Sequence, residues 1–250
     1  ALEVDGLTVA GDRGETAVRG VSFSIREGEI VGVAGVAGNG QRELAEALSG
    51  MRDIDAGSVR IAGRTLRGGD PREAILAGVA HVPEDRLGTG LAPSLSVTSN
   101  VVMKTYRRRS LSHGPLLALR RMREVAVRVV GRYDVKTPGT ETPVRNLSGG
   151  NLQKLVLGRE FEDEPLVLVV AQPTRGLDVG AIETVHSYLR DAAARGVAVL
   201  VMSEDLDELR ALSDRILVVY EGRVCAEYPP DVTEEQLGFA MTGGLGEEAA

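Results

Sequence analysis

Leu147-Ser148-Gly149-Gly150-Asn151-Leu152-Gln153-Lys154 is the stretch from which the rest of the chain is best read. A serine ahead of two glycines and an apolar-periodic run predicts a helix over about 150–160, since a serine hydroxyl satisfies the open N–H groups of a first turn. An ordinary Ser-capped helix start is the plain alternative to any functional reading. Upstream, Thr137-Pro-Gly-Thr-Glu-Thr-Pro143 reads as a linker, its prolines stopping any helix. Downstream, the apolar run Leu166-Val-Leu-Val-Val-Ala171 predicts a buried strand. A helix over about 179–194, strands over 197–202 and 215–220, and a helix over 205–212 complete this part. Such alternation predicts a parallel sheet with helices on its faces, an α/β fold.

The N-terminal third has a different period. Leu2-Glu-Val4, Leu7-Thr-Val9 and Val21-Ser-Phe-Ser-Ile25 alternate apolar and polar residues, which predicts short strands separated at Gly and Asp turns. The apolar strand Ile30-Val-Gly-Val-Ala34 then runs into Gly35-Val36-Ala37-Gly38-Asn39-Gly40-Gln41-Arg42, followed by a helix from Gln41 to Leu48. Set against the phosphate-loop pattern G-x-x-x-x-G-K-[ST], both framing glycines, Gly35 and Gly40, are present. Gln41 stands at the lysine and Arg42 at the Mg²⁺-binding hydroxyl. A tight strand-to-helix turn is the plain alternative. As a binding element, the loop retains a backbone cradle for an anion but has lost the bridging cation.

Composition removes several classes. The chain has 250 residues, a hydrophobic fraction of 43% and net charge −7, enough apolar material for a core. One cysteine, Cys225, excludes a disulfide scaffold, and three scattered histidines, His81, His113 and His186, argue against a metal cluster. No apolar run approaches the roughly 20 residues of a membrane span, and no export leader is visible. Three lysines stand against 26 arginines, and charge is uneven: residues 98–132 carry +8, leaving −15 elsewhere. That Arg-rich window, helical in pattern from Ser96 to about Val130, is open to three readings. It is a solvated helix face, a contact for a membrane surface or anionic partner, or a nucleic-acid site, the last disfavoured by the scarcity of stacking aromatics.

The motifs together resemble the ATP-binding cassette (ABC) transporter ATPase domain. Leu147, Ser148, Gly149, Gly150 and Asn151 match its signature sequence, and Leu166–Ala171 with Gln172-Pro173-Thr174 is similar to its second nucleotide motif. Arg175-Gly176-Leu177-Asp178 resembles the D-loop, His81-Val-Pro-Glu84-Asp85-Arg86 the glutamine loop, and Val201-Met-Ser203-Glu204-Asp205-Leu206 the switch region. With the glycine loop these motifs keep the family's order over almost the whole chain. The resemblance is closest to the second, degenerate cassette of the tandem ATP-binding subunit of nucleoside and simple-sugar (ribose–galactose type) importers, on Val170 to Glu183, Gly38-Asn-Gly-Gln41 and the ending Glu235 to Gly244. It implies a P-loop NTPase-type core with an N-terminal antiparallel β portion and a helical insertion. The expected division is core 1–86, Arg-rich helical subdomain 87–143, signature motif and second half of the core 144–228, and acidic tail 229–250.

Departures from the family pattern set the functional expectation. Ala171 and Gln172 replace the Asp and Glu that help hold Mg²⁺ and activate water, Glu84 replaces the glutamine, and Glu204 replaces the switch histidine. No aromatic precedes Phe23, so the adenine-stacking residue is missing. Phosphoryl transfer depends on positioning and charge stabilisation. The resemblance therefore implies a site that hydrolyses ATP poorly or not at all, with ATP bound weakly or in trans. Mg²⁺ is expected in a partner's site, with no metal or intact catalytic residue here. It further implies that the signature motif, with Asp178 nearby, completes the ATP site of a second cassette, the N-terminal half of the same polypeptide. Permease subunits are the other expected partners, nucleic acid is not, and the location is peripheral on the cytoplasmic membrane face. Beginning at Ala1 without methionine, the chain reads as an isolated C-terminal cassette. A soluble ABC-type ATPase acting on ribosomes or nucleic acid, which would be expected to keep working nucleotide sites, or a self-sufficient ATPase that tolerates the substitutions, are the alternatives. Cys225 is expected to be buried or half-buried, His186 structural, and Lys154 on a solvated face.

Overall fold

The computed structural model describes residues 1–113 and 116–244, without the side chain of His113. The strands are β1 (Leu2–Ala10), β2 (Thr16–Ile25), β3 (Ile30–Ala34), β4 (Ala56–Ile61), β5 (Arg64–Leu66), β6 (Val79–Val82), β7 (Ser112–His113), β8 (Leu116–Leu117), β9 (Val167–Ala171), β10 (Ala198–Met202), β11 (Arg215–Tyr220) and β12 (Arg223–Tyr228). The helices are α1 (Gln41–Leu48), α2 (Pro71–Leu76), α3 (Val97–Val102), α4 (Leu119–Arg132), α5 (Gly149–Phe161), α6 (Val179–Ala194), α7 (Leu206–Leu212) and α8 (Glu234–Met241). Two units gather distant pieces of chain: Ala1–His81 with Pro165–Pro173 and His186–Ala250, and Val82–Glu164 with Thr174–Val185. The expected acidic tail contains α8, and its last six residues lie outside the described ones.

The first unit holds two sheets. One is antiparallel, in the order β2-β1-β4-β5. The sequence pattern ends the strand of Leu2 and Glu3 before Gly6, but β1 runs on to Ala10. Gly6 has φ +58°, and the pairing with β4 slips between Asp5 and Thr8, so the glycine supplies a bulge rather than an end. The other sheet has the order β12-β11-β3-β10-β9-β6, with β11, β3, β10 and β9 parallel and β12 antiparallel at its edge. Its central strands bury Val31, Val33, Val169 and Leu200 almost completely, as strands covered on both faces require. They share one core with Leu2, Leu7, Val18 and Ile61 of the first sheet.

The second unit is mostly helical. The Arg-rich stretch is not one helical run: α3 ends at Val102, a turn region comes next, and the β7–β8 hairpin precedes α4. Gly158 on α5 lets the aromatic side of α4 approach, since a Cβ there would meet Tyr133 Cδ2 at 2.7 Å and Val129 Cγ1 at 2.9 Å. Tyr133 stacks on Phe161 at 6.0 Å between ring centroids. A buried ion cluster sits beside α5: Lys104 Nζ reaches Glu160 Oε2 at 2.5 Å, and Arg159 pairs with Glu160 at 2.8 Å while donating to the Gly90 carbonyl at 2.6 Å. Buried charges persist only when paired in this way.

Candidate functional site

In the first unit the glycine loop joins β3 to α1. Gly38 and Gly40 adopt φ +87° and +96°, a region that side chains rarely tolerate. A Cβ at Gly40 would lie 2.3 Å from the Ala17 carbonyl oxygen, and a Cβ at Gly222 would meet the same oxygen at the same distance. No side chain caps α1, so its first-turn N–H groups face whatever the loop holds. The Gln41 carboxamide turns back and donates to the Val36 carbonyl at 3.3 Å. Arg42 is held at 2.5 Å from Asp12 Oδ2 and 2.7 Å from Glu43 Oε1, and Arg52 takes the other Asp12 oxygen at 2.6 Å. Hydrogen bonds from Arg52 and then Arg42 hold the Asp12 carboxyl below its ordinary range, and Glu43 and then Asp12 raise the affinity of Arg42 for its proton. An open cleft of about 590 Å³ beside the loop is lined by Asp12, Arg13, Thr16, Ala17, Asn39, Arg42 and Glu221 among others, without an aromatic residue.

Also in the first unit, Ala171 ends β9 and Gln172 comes next with φ +49°, an uncommon conformation for a residue with a side chain. The Gln172 N–H donates to the Met202 carbonyl at 2.7 Å, and its Oε1 accepts from the Glu204 N–H at 3.3 Å. The structure thus brings Gln172 and Glu204 together. The Glu204 side chain is exposed, whereas neighbouring Ser203 is buried and donates to Glu208 Oε2 at 2.6 Å. His186 lies 3.1 Å from the other Glu208 oxygen, a structural pairing. Gln41, Arg42 and Ala171 stand where the resembled motifs carry a lysine, a hydroxyl and a carboxylate. Among the described residues no group of three or more His, Cys, Asp or Glu side chains could hold a metal ion. The backbone N–H groups at the start of α1 suit an anion.

In the second unit Ser148 precedes α5, exposed, with extended backbone, and its hydroxyl makes no capping bond to its own helix. It accepts instead from Asn151 Nδ2 at 2.8 Å, while Asn151 Oδ1 accepts from the Lys136 N–H at 2.7 Å. Gly149 is exposed and Gly150 faces Ala181, where a Cβ would come within 3.3 Å; Leu147 is buried and anchors the stretch. Asp178 Oδ1 accepts from the Ala181 N–H at 2.9 Å, heading α6. Glu84 is paired with Arg175, and Arg86 donates to Gln153 Oε1 at 2.5 Å and to the Arg175 carbonyl at 2.7 Å. Burial lowers the proton affinity of Arg86. Glutamine loop, D-loop and signature helix are therefore tied together by Arg86 and Arg175.

Sequence reasoning missed the partners of Arg42. Asp12 lies in the β1–β2 turn, far along the chain, and no local pattern links the two. The Glu84–Arg175 pair did leave a signal, an acid in one motif and a cation in another. Two bland expectations are corrected. Cys225 is exposed, because β12 is an edge strand, though its Sγ lies 3.4 Å from the Val218 carbonyl oxygen. Lys154 is not on a solvated face: its side chain is 16% exposed and reaches Asp134.

The ABC transporter family model matches residues 18–175. Guanosine import ATP-binding protein NupO of Bacillus subtilis is 43% identical over 249 residues, 99% of this chain and 49% of that protein. Glucose import ATP-binding protein TsgD13 of Haloferax volcanii is 46% identical over 246 residues, 97% of this chain and 45% of that protein. The chain spans about half the length of the curated relatives it matches. Among solved structures, the dimeric post-hydrolysis state of the ATP-binding cassette MJ0796 with ADP and Pi superposes with TM-score 0.75 at 20% identity, covering 93% of this chain and all of that one. At that identity the likeness concerns the fold, which is the ABC ATPase cassette expected from the sequence. By the family match over more than half its length, the chain belongs to the ABC transporter family as an ATPase domain, close to the ATP-binding subunits of nucleoside and sugar importers.

Proposed function

We propose that this chain is the degenerate ATPase domain of an importer for nucleosides or simple sugars, and that it lends its signature motif to the ATP site of a second cassette. The observation that carries the reading is the asymmetry between the two motifs. Ser148 and Gly149 are exposed at the start of a 13-residue helix, and the serine hydroxyl caps no backbone N–H of that helix, accepting instead from the Asn151 side chain. At the glycine loop, by contrast, Arg42 is engaged by Asp12 and Glu43, and Gln41 by the loop itself. Hydroxyl and N–H donors at a helix start favour the negative charge of a γ-phosphate held by a partner. Gln172 has no basic atom with which to take a proton from water, and the Ala171 methyl offers no metal ligand.

Substrate class follows the relatives, whose names specify guanosine and glucose import. The half-length match supports a companion cassette on the same polypeptide. The dimeric state of the superposed cassette supports pairing of two such domains. Permease subunits are the proposed membrane partners and the cytoplasmic face the proposed location. No helix among the described residues is long and apolar enough to cross a membrane. In the assembled transporter, Ser148→Arg should lower ATP turnover by about 10²–10³-fold, the usual cost of losing a transition-state donor. Gln172→Ala should leave turnover unchanged. Equal losses from both would mean that the local site works and would overturn the proposal.

A further inference from the structure

We propose that the flanks of the β7–β8 hairpin, residues 106–112 and 116–121, form a contact surface for an anionic lipid bilayer. They carry five arginines, Arg107, Arg108, Arg109, Arg120 and Arg121, and no acid. All five are exposed. Between them, Leu116, Leu117 and Leu119 are 73%, 47% and 70% exposed, and Tyr106 is 37% exposed. Three leucines left in water within a few residues are unusual for a folded surface with a core of its own nearby.

The neighbouring charges do not neutralise the patch. Arg108 meets Asp163 at 2.9 Å, and Arg120, itself 94% exposed, meets Glu124 at 3.1 Å. Arg107 donates to the Tyr106 hydroxyl at 2.9 Å and lies 5.5 Å from its ring centre, and Arg121 donates to the Ser110 carbonyl at 3.2 Å. Exposed pairs such as that of Arg120 exchange readily for other anions. The sign of the patch is opposite to that of the remaining chain, so an acidic surface attracts this face and repels the rest. Leucines beside arginines then select among anionic surfaces. Leucine side chains enter the boundary between headgroups and acyl chains, while arginine stems lie along it with guanidinium groups at the phosphates. A nucleic acid would leave the leucines in water and find only Tyr106 to stack on.

The test is sedimentation of the full chain with vesicles, with neither nucleotide nor partner present. Vesicles of phosphatidylglycerol and phosphatidylcholine in equal parts should retain it, and pure phosphatidylcholine should not. About 1 M salt, which confines charge attraction to about 3 Å, should release it. Joint replacement Leu116→Ser, Leu117→Ser and Leu119→Ser should weaken retention at least tenfold with an unchanged circular dichroism spectrum. Arg107→Gln with Arg109→Gln should weaken it by roughly 25-fold, at about fivefold per arginine near an anionic surface. The exposed Arg60→Gln should leave it unaltered. Equal retention on both vesicles, or none on either, would overturn the proposal. So would leucine replacements that spare vesicle binding but weaken association with permease subunits, which would assign the patch to protein docking. Because the assay needs no second cassette, its failure leaves the role proposed for Ser148 standing, and the converse holds.

Discussion

At position 41 a carboxamide folds back onto the loop and donates to the Val36 carbonyl. Next to it, Arg42 keeps a positive charge but spends it on Asp12 and Glu43. These side chains decide the chemistry, whereas the preceding glycine decides the shape. Gly40→Ala would force a Cβ against the Ala17 carbonyl in a left-handed conformation. That strain alone costs about 1–3 kcal/mol. The expected outcome is a melting midpoint lower by about 2–4 °C for each kcal/mol, read by thermal denaturation; an unchanged midpoint would show that the loop gives way. Gln172 is one of five non-glycine residues with left-handed backbone among the described residues, and its φ of +49° is held by hydrogen bonds to Met202 and Glu204.

Among the elements, β11 carries a tie that fixes its first residue. Arg215 donates to Glu29 Oε1 at 2.7 Å and approaches Glu227 Oε2 at 3.1 Å. Burial pushes the Glu29 carboxyl up, but hydrogen bonds from Arg215 and from the Arg26 N–H outweigh it and hold the group below 4.5. Glu29 therefore adds stability that is present above pH 4.5 and is lost as pH falls through its lowered value. Arg215→Met should raise the Glu29 titration midpoint and flatten the acid limb of the stability curve. A carboxyl titration by nuclear magnetic resonance checks this, and an unmoved Glu29 would refute it. Elements of this kind differ in how legible they are in sequence. The β9–α6–β10–α7–β11 alternation is readable because each piece is a clean apolar run or a helical period. Continuity of β1 through Gly6 is not, since a glycine that ends a strand and one that bulges it look alike until the pairing register is known. The β7–β8 hairpin is hidden because arginines and leucines on either side share a helical period. Arg42 and its partner Asp12 meet only through folding of the chain between them. The motif positions can be named from order alone, but not their partners.

For the molecule as a whole, the motif positions divide between the two units of the chain. The glycine loop, Gln172 and Glu204 belong to the first unit, and Ser148, Glu84 and Asp178 to the second. The expected consequence for the purified chain is Mg-dependent phosphate release at least about 10²-fold below that of a cassette with an intact base. Turnover comparable to such a cassette would contradict the proposed division of labour. The carbonyl of Ala17 supplies a last consequence. Gly40 and Gly222 are both pressed against it, so glycine at those positions answers to backbone packing whatever happens at 41 and 42. Substitution of the reactive side chains around the loop leaves the demand for glycine at 40 and 222 untouched. Glycine spacing in a cassette sequence is thus a record of architecture, and whether the engine still runs has to be read one residue further on.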